Sequence, residues 1–260
     1  LSASPFNYEI ILRNLRRSGL SKSCGGQDRD DSVRNTGGWT QPQSSGAGWT
    51  RIIVEKPFGT NLKTAQKLDR MLGVLFQESQ IYRIDHYLGK EMLQNILTFR
   101  FSNNLFEENW SARSIETIHV RALEKLGVGE RAGFYNSIGA LRDIGQNHLL
   151  QMLALVTMDH PNNYDAQSIR EARARLLSSL HRPSKSDIVC HAFRGQYEGY
   201  RESAGVPLDS LTETYFNVRA LLDTPRWRGM PVYLESGKVM NEVRKEIEIT
   251  FRHPFPCLCP

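Results

Sequence analysis

The strongest constraint on the fold of this 260-residue chain is one short stretch. In "RIIVEKPFG", Ile52, Ile53 and Val54 form an unbroken β-branched run, the signature of a strand covered on both faces. Pro57-Phe58-Gly59 stops it. Thr60 or Asn61 can then cap a helix reaching Phe76, with Leu62, Ala65, Leu68, Met71, Leu72, Leu75 and Phe76 as its inner stripe. "IYRI" returns as a second strand. Strand, helix and strand within about thirty residues make a βαβ unit, and a crossover of that length implies parallel strands.

Ligands of parallel sheets bind beyond the carboxyl ends of the strands. Lys56 stands at the end of the first strand, and Asp85, His86, Tyr87 and Lys90 stand at the end of the second. If Asp85 caps a helix, His86 and Lys90 share one of its faces, and free backbone N–H groups point the same way. Such a turn suits a phosphate dianion, although an ordinary capped helix with a surface lysine has the same spacing.

Beyond residue 90 the pattern changes. "KEMLQNILTFRF" is helical, and "SIETIHVRALE" alternates, with Ile118, Val120 and Ala122 on one face. "NSIGALRDIGQNHLLQMLALVTM" reads as one long helix, apolar on most sides and therefore buried, and "DAQSIREARARLLSSL" as an amphipathic one. "DIVCHAF", "TETYFNVRALLD", "MPVYLES" and "KEIEITF" read as strands. The expected architecture is a Rossmann-type parallel-sheet domain, residues 1–87, joined to a larger α+β domain, residues 88–260, with an antiparallel sheet packed on helices. Residues 8–20 read as an amphipathic helix. Residues 21–50 are polar and small, and the stretch reads as an insertion, at about 21–47, or a long flexible loop.

His148 sits among apolar residues of the long helix, in line with Leu141, Gly145 and Met152. A buried imidazole needs partners for both nitrogens. It is either a core histidine bonded to a carbonyl or a general base oriented by a carboxylate. Asp143 lies on another face of that helix and is poorly placed to orient it; Asp85 can do so only if the two elements pack together. Glu124, after "IHVRAL", and Lys238, in "ESGKVM", read singly as turn residues. The cysteines, Cys24, Cys190, Cys257 and Cys259, form no paired CxxC set, so no metal site is expected and reduced thiols fit. The net charge of +5 suits an anionic ligand. The basic residues are dispersed, which argues against nucleic acid, and no apolar run nears the ~18 residues of a membrane span.

Taken together, Ser18-Gly19-Leu20, "GWTRIIVEKPFG", "YRIDHYLGKE", "GVGERAGFYNSIGALRDIGQNHLLQML", "RGQYEGYRESAGV", "TETYF" and "RWRGMPVYLESGK" resemble the glucose-6-phosphate dehydrogenase family, in the family's order. The resemblance implies oxidation of glucose 6-phosphate at C1 with hydride transfer to NADP, in the cytoplasm, by a homo-oligomer joined through the sheet domain. It implies that His148 is the base and Asp85 its orienting carboxylate. His86, Tyr87 and Lys90 would hold the phosphate; Glu124, Asp143 and Lys238 would grip the sugar hydroxyls and the phosphate edge. Lys56 would lie between cofactor and substrate. No GxGxxG turn occurs in the chain, so the resemblance also implies a sequence truncated at the N-terminus and short at the C-terminus. A catalytically silent homologue that still binds sugar phosphate is the alternative.

Overall fold

The computed structural model describes residues 7–18, 50–56, 58–59, 61–102, 104–253 and 256. The expected insertion at 21–47, Pro57 and Cys24, Cys257 and Cys259 lie outside them. The chain divides into two compact units, Leu1–Asp85 and His86–Pro260, so the division follows Asp85 rather than Tyr87.

In the first unit, β1 (Ile52–Glu55) and β2 (Ile81–Ile84) pair in parallel, with Glu55 opposite Ile84. The crossover is α2 (Leu62–Leu75). Asn61 is its cap, because its side chain accepts from Thr64 N while the Thr64 hydroxyl accepts from Asn61 N. The turn before it requires a glycine: Gly59 has φ +113°, and a Cβ there would lie 2.7 Å from Ala65 N. Leu68 and Leu72 of α2, with Phe76 just beyond it, meet Ile52, Val54 and Ile81 and the Tyr8 and Leu12 side chains of α1 (Tyr8–Ser18) in one core. Two expectations are corrected. Leu62 is exposed, because it lies in the first turn of the helix and short of the sheet. Ile53 is 51% exposed, because the described residues cover only the Ile52–Val54 face.

The second unit is built on a five-stranded sheet ordered β4-β5-β6-β3-β7. Its strands are β3 (Ile115–Leu123), β4 (Ala192–Gly195), β5 (Tyr215–Ala220), β6 (Val232–Gly237) and β7 (Arg244–Phe251). The sheet is mixed: β3 and β6 run parallel, and the other pairs are antiparallel. Ile118, Val120 and Ala122 enter the core as their alternation predicts. "DIVC" is helical, contrary to its β-branched content. Ser184 and Asp187 form a reciprocal cap that starts α8 (Lys185–His191), and only Ala192 onward joins the sheet.

The long apolar segment is also not one helix. α5 (Ala132–Asn136) ends near Gly139, whose φ is +78°; a π-helix follows over Leu141–Leu149, and α6 (Leu150–Thr157) continues it into the core. The restart is held by Glu213, whose backbone carbonyl accepts from Ala140 N and whose carboxylate accepts from Leu141 N, both at 3.0 Å. A carboxylate at a helix start satisfies an orphan donor and complements the positive end of the dipole. The last carbonyls of α6 are met by side chains rather than water. Arg100 of α3 (Glu91–Phe101) donates to Leu155 O at 3.1 Å, Trp110 to Val156 O at 2.7 Å, and Trp227 to Thr157 O at 2.6 Å. Burial pushes the Arg100 guanidinium down to about 10, against the pull of Glu107 at the end of α4 (Asn104–Glu107), so it stays charged at neutral pH. The remaining long helix, α7 (Ala166–Ser178), packs on α6 through Ala172 and Leu176.

Candidate active site

The parallel register of β1 and β2 brings their carboxyl ends to one edge of the first unit. Lys56 and Asp85 follow the paired residues Glu55 and Ile84 directly, as the strand–helix–strand reading predicts.

The second unit opens with the turn His86–Gly89, closed by Lys90 N donating to Tyr87 O at 3.0 Å. Asp85 therefore does not cap a helix, and His86 and Lys90 do not share a helical face. Lys90 itself is the N-cap of α3 and makes no side-chain cap bond. The turn achieves a similar convergence by another route. Tyr87 is buried and stacks on the His148 ring, centroids 4.0 Å apart and planes 16° apart. His86 meets the same imidazole edge-on at 4.5 Å. The Lys90 ammonium lies 4.1 Å from the centre of the Tyr87 ring. A cation over a phenol face is attracted by the ring quadrupole, so Tyr87 joins the lysine to the imidazole.

His148 is fully buried on the π-helix. Gly145 lies within this helix against the Phe216 ring, where a Cβ would lie 2.7 Å from it. Insertions of this kind recur at functional sites because they re-aim side chains that an α-helix would place elsewhere.

The same π-helix carries Asp143 toward a second group. Glu124 follows β3 and Lys238 follows β6, and the last register pair of those parallel strands is Leu123 with Gly237. Their ends thus coincide, and Lys238 Nζ lies 2.8 Å from Glu124 Oε2, with Lys245 at 3.6 Å from the other oxygen. Partial burial alone would raise the Glu124 carboxyl; the hydrogen bond and charge of Lys238, with help from Lys245, hold it below the usual range. The backbone fixes the pair: Glu124 N donates to Gly237 O, Met240 N to Glu124 O, and Lys238 N to Thr214 O. Val239, next to Lys238, has φ +57°, a region costly for a β-branched residue.

Sequence reasoning passed over Tyr135. Its ring centre lies 5.6 Å from the Lys238 ammonium, and its hydroxyl is buried with no hydrogen-bond partner among the described residues. Burial first, then the nearby charges of Asp143, Glu213 and Glu124, push that phenol up, so it remains a neutral O–H. No apolar period or charge pattern marks it. Its role depends on a contact between α5 and the turn after β6, remote in sequence.

The structure therefore brings together His86, Tyr87, Lys90 and His148, and separately Glu124 and Lys238 with Tyr135, with the π-helix bearing both His148 and Asp143. Lys56 and Asp85 belong to the other unit. No helix among the described residues is long and apolar enough to cross a membrane.

Comparison with known proteins bears on both units. Residues 1–95 match the family model "Glucose-6-phosphate dehydrogenase, NAD binding domain", and residues 97–259 match "Glucose-6-phosphate dehydrogenase, C-terminal domain". The chain is 42% identical over 264 residues to a glucose-6-phosphate 1-dehydrogenase of Borreliella burgdorferi, covering 98% of this chain and 50% of that protein. It is 44% identical over 205 residues to a cytoplasmic one of Arabidopsis thaliana, covering 79% of this chain and 39% of the other. The crystal structure of the Mycobacterium avium glucose-6-phosphate 1-dehydrogenase superposes with a TM-score of 0.80 at 34% identity, over 98% of this chain and 50% of that one. A glucose-6-phosphate dehydrogenase in complex with its substrate glucose 6-phosphate does so with a TM-score of 0.80 at 32% identity, over 98% and 48%. The chain thus spans about half the length of these relatives.

Proposed function

The chain belongs to the glucose-6-phosphate dehydrogenase family, and we propose that it acts in the family's reaction, oxidising glucose 6-phosphate at C1 to 6-phosphogluconolactone with hydride transfer to NADP. The observation that carries this reading is the Lys90–Tyr87–His148 group, which sets a cation 4.1 Å and a buried imidazole 4.0 Å from the centre of one phenol ring.

In this reading the turn His86–Lys90 binds the phosphate. Lys90 supplies charge and His86 an imidazole N–H, and the hydroxyl of Tyr87 adds a donor. A phosphate held at the far end of the sugar fixes C1 without taking part in the chemistry, so its binding energy is spent on orientation. Glu124 and Asp143 accept from sugar hydroxyls, and Lys238 donates to them or to the phosphate edge. His148 takes the proton of the C1 hydroxyl as general base, with Asp85 bonding its other ring nitrogen and stabilising the imidazolium. Nicotinamide dinucleotide, when bound, supplies the hydride acceptor, and Lys56 at the strand rim is the residue of this chain placed beside it. No glycine-spaced turn among the described residues offers the pyrophosphate a cradle. The chemistry assigned to this chain is therefore positioning of the sugar and removal of the proton. Cytoplasmic residence and homo-oligomers formed through the larger sheet belong to the same reading.

A second reading is a homologue that binds glucose 6-phosphate without turnover. Calorimetry with glucose 6-phosphate and a nicotinamide-reduction assay on the same preparation separate the two. The first reading expects binding and turnover; His148→Ala lowers turnover by about 10²–10⁴ and spares affinity, whereas Lys90→Ala weakens affinity. Binding with no reduction of NADP selects the second reading. Absence of binding refutes both.

A further inference from the structure

We propose that Tyr135 is a further positioning and specificity residue for the sugar, its hydroxyl donating to the oxygen of one hydroxyl of glucose 6-phosphate. This rests on the reading of Glu124, Asp143 and Lys238 as the sugar-binding group.

The polar groups around Tyr135 are engaged. The Tyr200 hydroxyl donates to Asn136 Oδ1 at 3.2 Å, Ser210 donates to the same oxygen, and Thr212 donates to Asn136 O at 2.7 Å. The Tyr135 hydroxyl, in the same cluster, is buried and has no such partner. A buried hydroxyl left unpaired is costly and calls for an explanation. Here the surroundings supply one. Carboxylates only accept, so Glu124 and Asp143 take the protons of sugar hydroxyls and leave the lone pairs of those oxygens to be met by donors. Lys238 supplies one donor, and Tyr135, beside it, is a neutral O–H that supplies another. Lys238 stands beside the phenol: its ammonium lies 5.6 Å from the Tyr135 ring centre and is held to Glu124 at 2.8 Å. A sugar that engages Lys238 and Glu124 brings its own oxygen close to the phenol. Because the hydroxyl is already stripped of water, the new hydrogen bond carries no further desolvation cost on the protein side. A sugar lacking the matching hydroxyl gains nothing from it, which is how one buried donor discriminates between substrates.

The test is Tyr135→Phe, which keeps the ring and its contact with Lys238 and removes only the hydroxyl. Binding of glucose 6-phosphate, and of glucose 6-phosphates lacking one ring hydroxyl at a time, is measured by calorimetry on the wild-type and variant chains. Glucose 6-phosphate should bind the Phe variant about five- to tenfold more weakly. For one deoxy sugar the two chains should bind alike, and the unliganded variant should melt no lower than wild type. A uniform loss across all the sugars, or no loss for any, overturns the proposal, since a merely structural role moves every sugar equally. Tyr135→Leu, which also removes the hydroxyl, carries the same comparison should the Phe chain fail to fold. Wild-type chain that binds no glucose 6-phosphate removes the parent reading and this one with it. Normal wild-type binding with an indifferent variant removes this one alone.

Discussion

Replacing Gly145 with alanine tests whether the π-helix is what aims His148. An added Cβ would lie 2.7 Å from the tip of the Phe216 ring and 3.1 Å from Leu141, whereas ordinary contact begins at 3.4 Å, so something must move by about 0.7 Å. Phe216 is 1% exposed in the core, backed by the β5 strand and its neighbours, and has nowhere to retreat. The π-helix is the softer partner, because its hydrogen bonds are already strained from the α pattern. Overpacking of this size costs about 1–3 kcal/mol, a fall in Tm of roughly 2–6 °C for a chain of this size. His148 stands less than one turn further on, so the shift is passed to it. A misplacement near 1 Å can cost about 10² in rate. The assays are thermal unfolding, glucose 6-phosphate binding and turnover of Gly145→Ala, alone and with Phe216→Leu. The second change removes the obstructing ring atoms and should restore a large part of the loss, so the two effects should be non-additive. Gly145→Ala with wild-type Tm and wild-type activity would refute the reasoning, and so would strict additivity with Phe216→Leu.

Two further predictions concern the ends of β3 and β6. The Glu124 carboxyl is held below its ordinary value of 4.5 by Lys238. A depressed carboxylate adds stability above its unfolded pKa and loses it as pH falls through the folded one. Stability of the wild-type chain should therefore drop as acid takes the pH below about 4.5, and the drop should be shallower in Glu124→Gln, measured by urea unfolding across that range. An equally steep drop in the variant would show that the Lys238 pairing contributes nothing. At Val239, a left-handed backbone costs a β-branched residue about 1–2 kcal/mol, of which glycine's extra chain entropy returns less than about 1. Val239→Gly should accordingly raise the unfolding midpoint, and a fall would place the strain elsewhere.

Local pattern sufficed for the elements of the first unit, though not for the exposure of Ile53 and Leu62. The β-branched run, the Asn61 cap and the apolar period of α2 all act within a few residues, and each is visible as a string. It failed where two local signals compete and where a distant group decides. "DIVC" has strand composition, yet a serine and an aspartate three residues apart satisfy the first donors of α8, and local capping outweighs β propensity there. The long apolar segment hides its break because Glu213, far along the chain, supplies the acceptors that let the π-helix restart after Gly139. The parallel pairing of β3 with β6 is equally invisible, since nothing in either strand names its partner. The family resemblance drew Glu124 and Lys238 into the site; spacing alone left them as turn residues. Tyr135 escaped both routes.

The two parallel pairs explain why the candidate residues lie where they do. An antiparallel pair returns through a short turn, which occupies the space beyond its strand ends. A parallel pair cannot turn back locally; the chain must leave, and the carboxyl ends stay open side by side. In the first unit that opening carries Lys56 and Asp85. In the second it carries Glu124 and Lys238, in a sheet whose other pairings are antiparallel. Paired ends place two side chains from distant parts of the sequence side by side with little freedom, because the ladder itself fixes their register. Breaking the register of β3 and β6 should therefore separate Glu124 from Lys238 even with both residues intact. A residue inserted between Ile118 and His119 would do so and would also turn Val120 and Ala122 out of the core. That coupling of core to site is the reason a polar pair at a strand end can be held as firmly as one inside a helix.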